Sequence, residues 1–307
     1  MLAMRAAGVL ALLVAVTIWA GWFVVVRGVV SGDDGLGPLD LALARFGVPA
    51  LLLAPVWLRC GPWPRSVTAP QLAIMVAGWG APFVIMGAHG LRFSDAAVFA
   101  ALVPGSMPLW LWLMDMARSR RRPGPQARLG LWLIALGAVG ALVAAVDAGR
   151  SLGGAPWFAA ASIGWAAYAL ALRESGLSPL QATAVVALWS TLLLVPALML
   201  WPPLLPSMPL AVVIEQILLQ GVLAGIVAVA AFVYAIRALG AARAATGVAL
   251  VPVLGALGGH VVLGEPLGWA VVTALCATVA GVALVNAAPL SRAGSQAGSQ
   301  AGRAASD

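Results

Sequence analysis

Apolar runs of membrane-spanning length are the feature that most constrains the fold of this chain. Each run is about 20 residues long, which is the length that an α-helix needs to cross a hydrocarbon core of about 30 Å. Strands would alternate apolar and polar residues, and these runs do not. The sequence therefore predicts an all-α integral membrane protein with ten transmembrane helices, at about residues 8–27, 41–58, 71–91, 96–115, 129–147, 154–172, 180–201, 213–236, 244–263 and 269–288.

Composition supports a lipid environment and excludes several classes of function. Apolar residues make up 63% of the chain and charged residues 9%, against about 25% charged in an average soluble domain. The basic residues are all arginines, spread over short loops, so we expect a lipid bilayer around the chain and no nucleic-acid partner. No lysine is present to build a phosphate-binding loop, which excludes a self-contained ATP-driven pump. Cys60 and Cys276 lack metal-ligand spacing, so we expect no metal and no cofactor.

The arginines also predict the orientation of the chain. With the N-terminus in the cytoplasm, thirteen of the seventeen arginines fall on the cytoplasmic side, as the positive-inside bias requires. We therefore expect a multi-pass protein of the cytoplasmic (inner) membrane with both termini in the cytoplasm. Residues 289–307 have too little apolar bulk to pack and are predicted to form a disordered cytoplasmic tail.

The chain repeats itself. Ala96-Ala97-Val98-Phe99-Ala100-Ala101-Leu102-Val103-Pro104 and Ala244-Ala245-Thr246-Gly247-Val248-Ala249-Leu250-Val251-Pro252 agree at six of nine positions, 148 residues apart. Two further matches follow the same order: one at a spacing of 141 pairs Pro55 with Pro196, and one at 146 pairs Arg27 with Arg173. The repeat predicts a five-helix unit over residues 1–147 and another over 148–288. Because five is odd, the second unit enters the membrane inverted.

These residues resemble a known family. The most specific stretch runs through Ala235-Ile236-Arg237-Ala238-Leu239-Gly240-Ala241, Ala244-Ala245, Pro252 and Leu263-Gly264-Glu265-Pro266-Leu267. It is similar to the pattern of the ten-helix, EamA-like branch of the drug/metabolite transporter superfamily, with two EamA units. The resemblance implies a secondary transporter, not an enzyme, that exports a small metabolite, an amino acid or a drug-like compound.

The two units differ at one position of this pattern. Alignment on the two matched prolines places Ala117 opposite Glu265, so the first unit lacks the glutamate. Because Glu265 lies at the end of a span, we expect its carboxylate to cap the N-terminus of the tenth helix.

Arg45, in the second span, is a candidate for binding substrate. A guanidinium stays protonated, so it can attract an anionic or carboxylate-bearing substrate but cannot relay protons. Snorkelling to the interface, or pairing with Asp40, is an alternative reading of the same residue.

Aromatic side chains recur at equivalent places in the first and sixth spans. Trp19 and Trp22 in the first span match Trp165 and Tyr168 in the sixth. Together they could line a central cavity and bind flat, amphipathic or cationic substrates by stacking. Ordinary packing between helices is the alternative.

Three titratable residues are candidates for proton coupling. His89 and His260 are the chain's two histidines, and Glu215 begins the eighth span. Histidine titrates near neutral pH, where proton coupling operates. All three could instead have structural or interfacial roles.

Prolines within the fourth and ninth spans are candidates for hinges. Pro104, Pro108 and Pro252 each remove a backbone hydrogen bond and so permit a kink. The spans also contain glycine pairs at Gly221 and Gly225 and at Gly255 and Gly259. Such pairs allow close helix packing within the chain or between two copies, so a homodimer is compatible with the sequence.

The sequence leaves other functions open. A membrane scaffold or lipid flippase subunit would share this composition, and so would a membrane-embedded enzyme acting on lipid. The enzyme hypothesis lacks the paired membrane-facing acids that would support it. A transporter of a small molecule by alternating access remains the leading prediction.

Overall fold

The fold is a bundle of helices. The computed structural model describes residues 2–32, 36–119 and 123–287, and all regular structure in these ranges is helical. The α-helices are Leu2–Ser31 (α1), Pro38–Leu52 (α2), Ala54–Cys60 (α3), Ala69–Trp79 (α4), Ala81–Leu91 (α5), Ala96–Leu102 (α6), Met107–Ser119 (α7), Pro125–Asp147 (α8), Ala155–Ser175 (α9), Pro179–Leu200 (α10), Leu210–Gln216 (α11), Ala228–Leu239 (α12), Ala241–Val248 (α13), Val251–Leu263 (α14) and Trp269–Ala287 (α15). A 3₁₀ turn, Leu205–Ser207, precedes α11, and a π-helical segment, Ile217–Val227, joins α11 to α12.

These helices form ten apolar spans. In the described residues, nine helical stretches are long and apolar enough to cross a membrane, and the bent pair α2 and α3 provides the tenth. Spans 1, 5, 6, 7 and 10 are the single helices α1, α8, α9, α10 and α15. Spans 2, 3, 4, 8 and 9 are the pairs α2–α3, α4–α5, α6–α7, α11–α12 and α13–α14. The predicted all-α membrane fold is confirmed. The predicted tail at 289–307 lies outside the described residues.

Contacts between spans follow a two-fold pattern. Span 1 packs on spans 8 and 9, and span 6 packs on spans 3 and 4. Spans 2 and 7, 4 and 9, and 5 and 10 also contact each other. A shift of five in every span number exchanges these contacts, which is consistent with two five-helix units related by a two-fold axis. The inverted repeat itself stays a prediction.

Span 2 has the sharpest bend in the bundle. Helices α2 and α3 meet at 66°, just before Pro55, whose ring and missing N–H disfavour a continuous helix. Across the break, the indole of Trp57 in α3 donates to the carbonyl of Ala50 in α2 at 2.8 Å. Pro196 lies inside α10, which continues past it to Leu200. The matched prolines of spans 2 and 7 therefore have different effects.

The breaks in spans 4 and 9 correspond to each other. Pro104 lies in the turn between α6 and α7, and Pro108 is the second residue of α7. Pro252 is the second residue of α14, after a short break that follows α13. The predicted kinks are present at equivalent places in both halves. Their use as hinges stays a prediction.

Glycines allow several of these spans to pack closely. An added Cβ at Gly221 would lie 2.7 Å from Val48, and one at Gly225 would lie 2.8 Å from Pro49, both in span 2. Gly255 packs against the ring of Phe23 in span 1. These predicted small-residue sites are occupied by contacts within one chain.

Candidate functional site

A cavity lies in the middle of the bundle. It encloses about 440 Å³ of empty space, part of it open to the outside. We call it the central cavity. Its walls come from spans 1 to 4 of the first half and from spans 6 and 9 of the second, and comprise Trp19, Trp22, Phe23, Arg45, Trp79, Phe83, Phe99, Val103, Pro104, Trp165, Val248 and Val251.

Arg45 is the charged residue of this wall. Its side chain is buried, with 8% relative exposure. One of its terminal nitrogens donates to the carbonyl of Gln220 at 3.3 Å, and its guanidinium carbon lies 5.4 Å from the centre of the Trp22 ring. No carboxylate of the described residues forms an ion pair with it. A buried guanidinium thus reaches the cavity with only neutral partners in this part of the chain.

The alternative in which Arg45 pairs with Asp40 does not match the structure. The carboxylate of Asp40 instead accepts the backbone N–H of Gly37 at 2.9 Å and that of Leu205 at 2.8 Å. Both contacts lie at the start of span 2, where the carboxylate fixes the loop before α2 and the 3₁₀ turn before α11. Asp40 therefore has a structural role, and its carboxylate does not neutralise the charge of Arg45 beside the cavity.

Aromatic rings form a continuous wall around the cavity. Trp79 lies 4.8 Å from Trp165 and 5.0 Å from Phe83, measured between ring centres. Phe83 stacks on Trp22 at 6.3 Å, and Trp79 stacks on Tyr168 at 5.7 Å. Spans 1, 3 and 6 are thus joined by aromatic contacts. Of the aromatic candidates, Trp19, Trp22 and Trp165 line the cavity, and Tyr168 supports Trp79 from behind.

Trp19 contributes an unpaired donor. Its indole N–H is buried and has no hydrogen-bond partner among the described residues. The indole N–H of Trp22 is satisfied, because it donates to the side-chain oxygen of Gln220 at 2.6 Å. A buried donor without a partner costs about 1–3 kcal/mol.

Sequence reasoning missed two glutamines of span 8. Gln216 and Gln220 are buried, and the amide of Gln220 donates to Gln216 at 3.4 Å while its oxygen accepts from Trp22. They lie at and within the π-helical segment, a geometry that is often found at functional sites. The sequence did contain a signal for these residues: two amide side chains, four residues apart, in an otherwise apolar span. Polar side chains in a membrane span generally face the interior of the bundle.

A second, smaller cavity adjoins the first. It encloses about 290 Å³ and shares Arg45 and Trp79 with the central cavity. Its other walls include Thr183 of span 7 and Val229 of span 8. Arg45 therefore lines both cavities, and the central cavity has the more aromatic wall.

The proton-coupling candidates lie away from the central cavity. The ring of His89 packs against Phe93 and Trp157. His260 is exposed, and its Nδ1 lies 2.8 Å from the carbonyl oxygen of Glu265. Glu215 is exposed at the start of span 8. The structure thus places none of His89, His260 and Glu215 on the cavity wall, and their role stays a prediction.

Charged side chains join several spans at one end of the bundle. Arg27 in span 1 donates to Glu265 at 3.0 Å and to the carbonyl of Leu91 at 2.5 Å. Asp95 lies 3.9 Å from Arg27 and forms an ion pair with Arg150. We call this the Arg27 end. Its charges link span 1, the turn before span 4, the loop before span 6 and the loop after span 9.

Glu265 caps a different helix from the one expected. Its carboxylate accepts the N–H of Ala96, the first residue of α6, at 2.9 Å. The expectation that it caps the tenth helix is wrong, because α14 ends at Gly264 in a left-handed turn that directs the next residue back towards span 4. Burial and the nearby Asp95 raise the pKa of Glu265, against the lowering effects of the Ala96 N–H and Arg27.

The opposite end carries ion pairs between spans 4 and 6. Arg173 lies 3.1 Å from Asp115, and Arg118 lies 2.8 Å from Glu174. We call this the Arg173 end. Arg173 is the residue that matches Arg27 in the repeat. Arg173 pairs with Asp115 in span 4, and Arg27 pairs with Glu265 in the loop after span 9.

Comparison with known proteins identifies the family. A family model described as "EamA-like transporter family" matches residues 152–287. A protein of Pseudomonas aeruginosa, named Uncharacterized protein PA1977, is 34% identical over 226 residues, which cover 70% of this chain and 75% of that protein. The chain belongs to the EamA-like transporter family. The resemblance inferred from the second half is therefore confirmed, and the family is one of membrane transporters within the drug/metabolite transporter superfamily.

A solved crystal structure also shares the fold of this EamA-like protein. It covers 92% of this chain and 97% of its own, with a TM-score of 0.60 and 20% sequence identity. At that identity the similarity shows the fold alone. The apolar spans and the EamA-like family support an integral multi-pass membrane protein.

Proposed function

We propose that this EamA-like protein is a secondary transporter of the cytoplasmic membrane that moves a small molecule through the central cavity. The observation that carries the proposal is Arg45. A charged side chain inside a membrane protein is costly and generally faces a functional pathway. Here it is buried among neutral groups, in a cavity whose walls come from both halves of the chain.

Alternating access would expose this cavity to each side of the membrane in turn. The Arg27 end is tied together by buried charges from both halves, which supports a state closed at that end. Helix breaks at Pro104 and Pro252 lie beside the cavity and give each half a place to bend. Rocking of one half against the other would then open the Arg27 end.

The proposed direction is export. The positive-inside bias places the Arg173 end in the cytoplasm, so a chain that is closed at the Arg27 end would receive its substrate from the cell interior. Among the residues that the structure describes, no carboxylate or histidine lies on the wall of the central cavity. We therefore favour substrate exchange or flow down a gradient over direct proton transfer within the cavity.

Transport by purified protein tests this function. The protein would be reconstituted into proteoliposomes and offered labelled aromatic carboxylates, amino acids and cationic drugs, with and without a pH gradient. We expect saturable flux of at least one compound in the wild type, loss of that flux in Arg45→Met, and normal flux in Arg59→Met. Arg59 is the matched control because it is an exposed arginine of the same span.

Other outcomes favour other functions. Flux that requires a pH gradient and disappears in His260→Ala would place that histidine in the coupling mechanism. Absence of flux for every compound would contradict the proposal and favour a scaffold or lipid flippase subunit.

A further inference from the structure

Among the side chains that line the central cavity, those with polar atoms carry hydrogen-bond donors only. They are Arg45, Trp19, Trp22, Trp79 and Trp165, and the indole N–H of Trp22 already donates to Gln220. Neither side-chain type has an acceptor. In the described part of the chain, no side chain on the wall carries a carboxylate, a hydroxyl or an amide. Such a surface favours a ligand rich in acceptors and repels an ammonium group.

Among the described residues, Arg45 has N–H groups to spare, and the buried indole N–H of Trp19 has no partner. The Arg45 guanidinium has five N–H groups, and among the described residues it makes one hydrogen bond, to the Gln220 carbonyl. The indole N–H of Trp19 makes none in the same part of the chain. A carboxylate has two acceptor oxygens, which suits the fork of an arginine together with one further donor.

Aromatic rings form much of the wall of the central cavity. Trp22, Phe83, Trp79 and Trp165 follow one another with ring centres 4.8–6.3 Å apart. Aromatic faces in this range bind other rings in offset or edge-to-face geometry. On these grounds we infer that the central cavity binds an aromatic monocarboxylate, with the carboxylate on Arg45 and the ring against the aromatic wall that includes Trp22, Trp79 and Trp165.

This inference rests on the proposed transport function and narrows its substrate. Paired aromatics alone would also suit a flat cation, as the sequence suggested. The guanidinium excludes that choice, because a cationic ligand would meet an uncompensated positive charge in a medium of low dielectric constant. A zwitterionic amino acid should bind more weakly than the matched carboxylate, since its ammonium would have no acceptor on the wall.

Equilibrium binding to the purified wild type tests the ligand class. Labelled phenylacetate is the probe, and the competitors are phenylacetamide, phenethylamine, phenylalanine and cyclohexylacetate. We expect phenylacetate to bind about tenfold or more tightly than its neutral amide, which corresponds to one charge-assisted hydrogen bond. Phenethylamine should not compete, and cyclohexylacetate should compete less well than phenylacetate. Equal affinity for the acid and the amide, or absence of phenylacetate binding, would overturn the inference.

Variants test the assigned residue. Arg45→Met should weaken phenylacetate binding about tenfold or more while leaving phenylacetamide unaffected, and Arg59→Met should change neither. Arg45→Lys should restore part of the preference for the acid, which a merely structural role would not do. The comparison of acid with amide in the wild type needs no variant, so it remains decisive if Arg45→Met fails to fold.

The outcomes separate the inference from the function on which it rests. Flux of neutral or cationic compounds without a preference for carboxylates would refute the ligand class and leave transport standing. Absence of flux for all compounds, despite phenylacetate binding, would refute transport and leave the binding site standing.

Discussion

The two ends of the bundle carry matched arginines in different surroundings. At the Arg27 end, the side chains of Arg27 and Glu265 are 19% and 9% exposed. At the Arg173 end, those of Arg173 and Asp115 are 62% and 40% exposed. The first pair also engages the backbone of Leu91 and Ala96. The same residue at equivalent positions thus belongs to a buried network in one half and to a surface ion pair in the other.

The contribution of each ion pair to the free energy of unfolding depends on how deeply the pair is buried. Removing one partner of a buried pair costs about 3–5 kcal/mol, because the other charge is left uncompensated. An exposed pair contributes about 0–1 kcal/mol, since water and salt screen it. We therefore expect the contacts between spans at the Arg27 end to be strong. The contacts between spans 4 and 6 at the Arg173 end should break easily. This difference is what a transporter closed at one end and ready to open at the other requires.

The largest effect should come from Arg27→Met. The change leaves Glu265 and Asp95 without Arg27, so we expect the free energy of unfolding to fall by about 3–5 kcal/mol. Equilibrium unfolding in mixed micelles measures it. The matched control is Arg173→Met, for which a fall of at most about 1 kcal/mol is expected. Equal losses in the two variants would contradict the difference between the ends.

Glu265→Gln should change how stability depends on pH. Because the pKa of Glu265 is raised on folding, its contribution to stability is complete below the ordinary glutamate pKa of about 4.3 and is lost as pH rises through the raised value. The glutamine variant keeps an acceptor for Ala96 but has no proton to lose. The two proteins should be closest in stability in acid, and the wild type should lose stability relative to the variant as pH rises.

The charged groups that face the Glu265 carboxylate are Asp95 and Arg27. Arg150 pairs with Asp95, and His260 contacts the backbone carbonyl of Glu265. Unfolding of both proteins across a pH series would measure the difference, with Glu174→Gln at the Arg173 end as the exposed control. A constant gap between Glu265→Gln and wild type at all pH values would contradict the assignment to Glu265.

Arg118→Met should have a small effect. The Arg118 and Glu174 side chains are 57% and 46% exposed, so we expect a loss of at most about 0.5 kcal/mol that disappears in high salt. Unfolding at two salt concentrations would detect it. A loss comparable with that of Arg27→Met would show that the Arg173 end is also tightly held.

The smallest effect should come from Ala117→Glu, which places a glutamate where the second half has Glu265. Ala117 is exposed, so the added carboxylate should change the unfolding free energy by less than about 0.5 kcal/mol. A gain like the loss in Arg27→Met would show that sequence position, rather than burial, determines the strength of the pair.

Features that depend on local patterns could be predicted from the sequence. Runs of about 20 apolar residues indicated the ten spans, and Pro104 and Pro252 marked breaks that are present. The bend before Pro55 was not predicted, because a proline in a span permits a break without requiring one, as Pro196 demonstrates.

Features that depend on distant contacts could not be predicted. Glu265 caps Ala96, 169 residues earlier in the chain, and the sequence near Glu265 indicates only a helix end. Arg45 and Trp22 were identified as candidates, but their shared partner Gln220 lies in a third span. Which face of span 8 turns inward is set by packing against spans 1 and 2, so Gln220 resembled any other polar residue until the helices were assembled.

Sided labelling of a cavity cysteine tests the central claim most directly. Val248→Cys, in a chain with Cys60→Ala and Cys276→Ala, would be exposed to a membrane-impermeant maleimide in right-side-out and inside-out vesicles. Leu152→Cys would mark the Arg27 end and Glu174→Cys the Arg173 end. The account predicts that Val248→Cys is labelled from the side of Glu174→Cys, that phenylacetate slows the labelling, and that added Arg27→Met also permits labelling from the other side. Labelling of Val248→Cys from the side of Leu152→Cys while Arg27 is intact would contradict it.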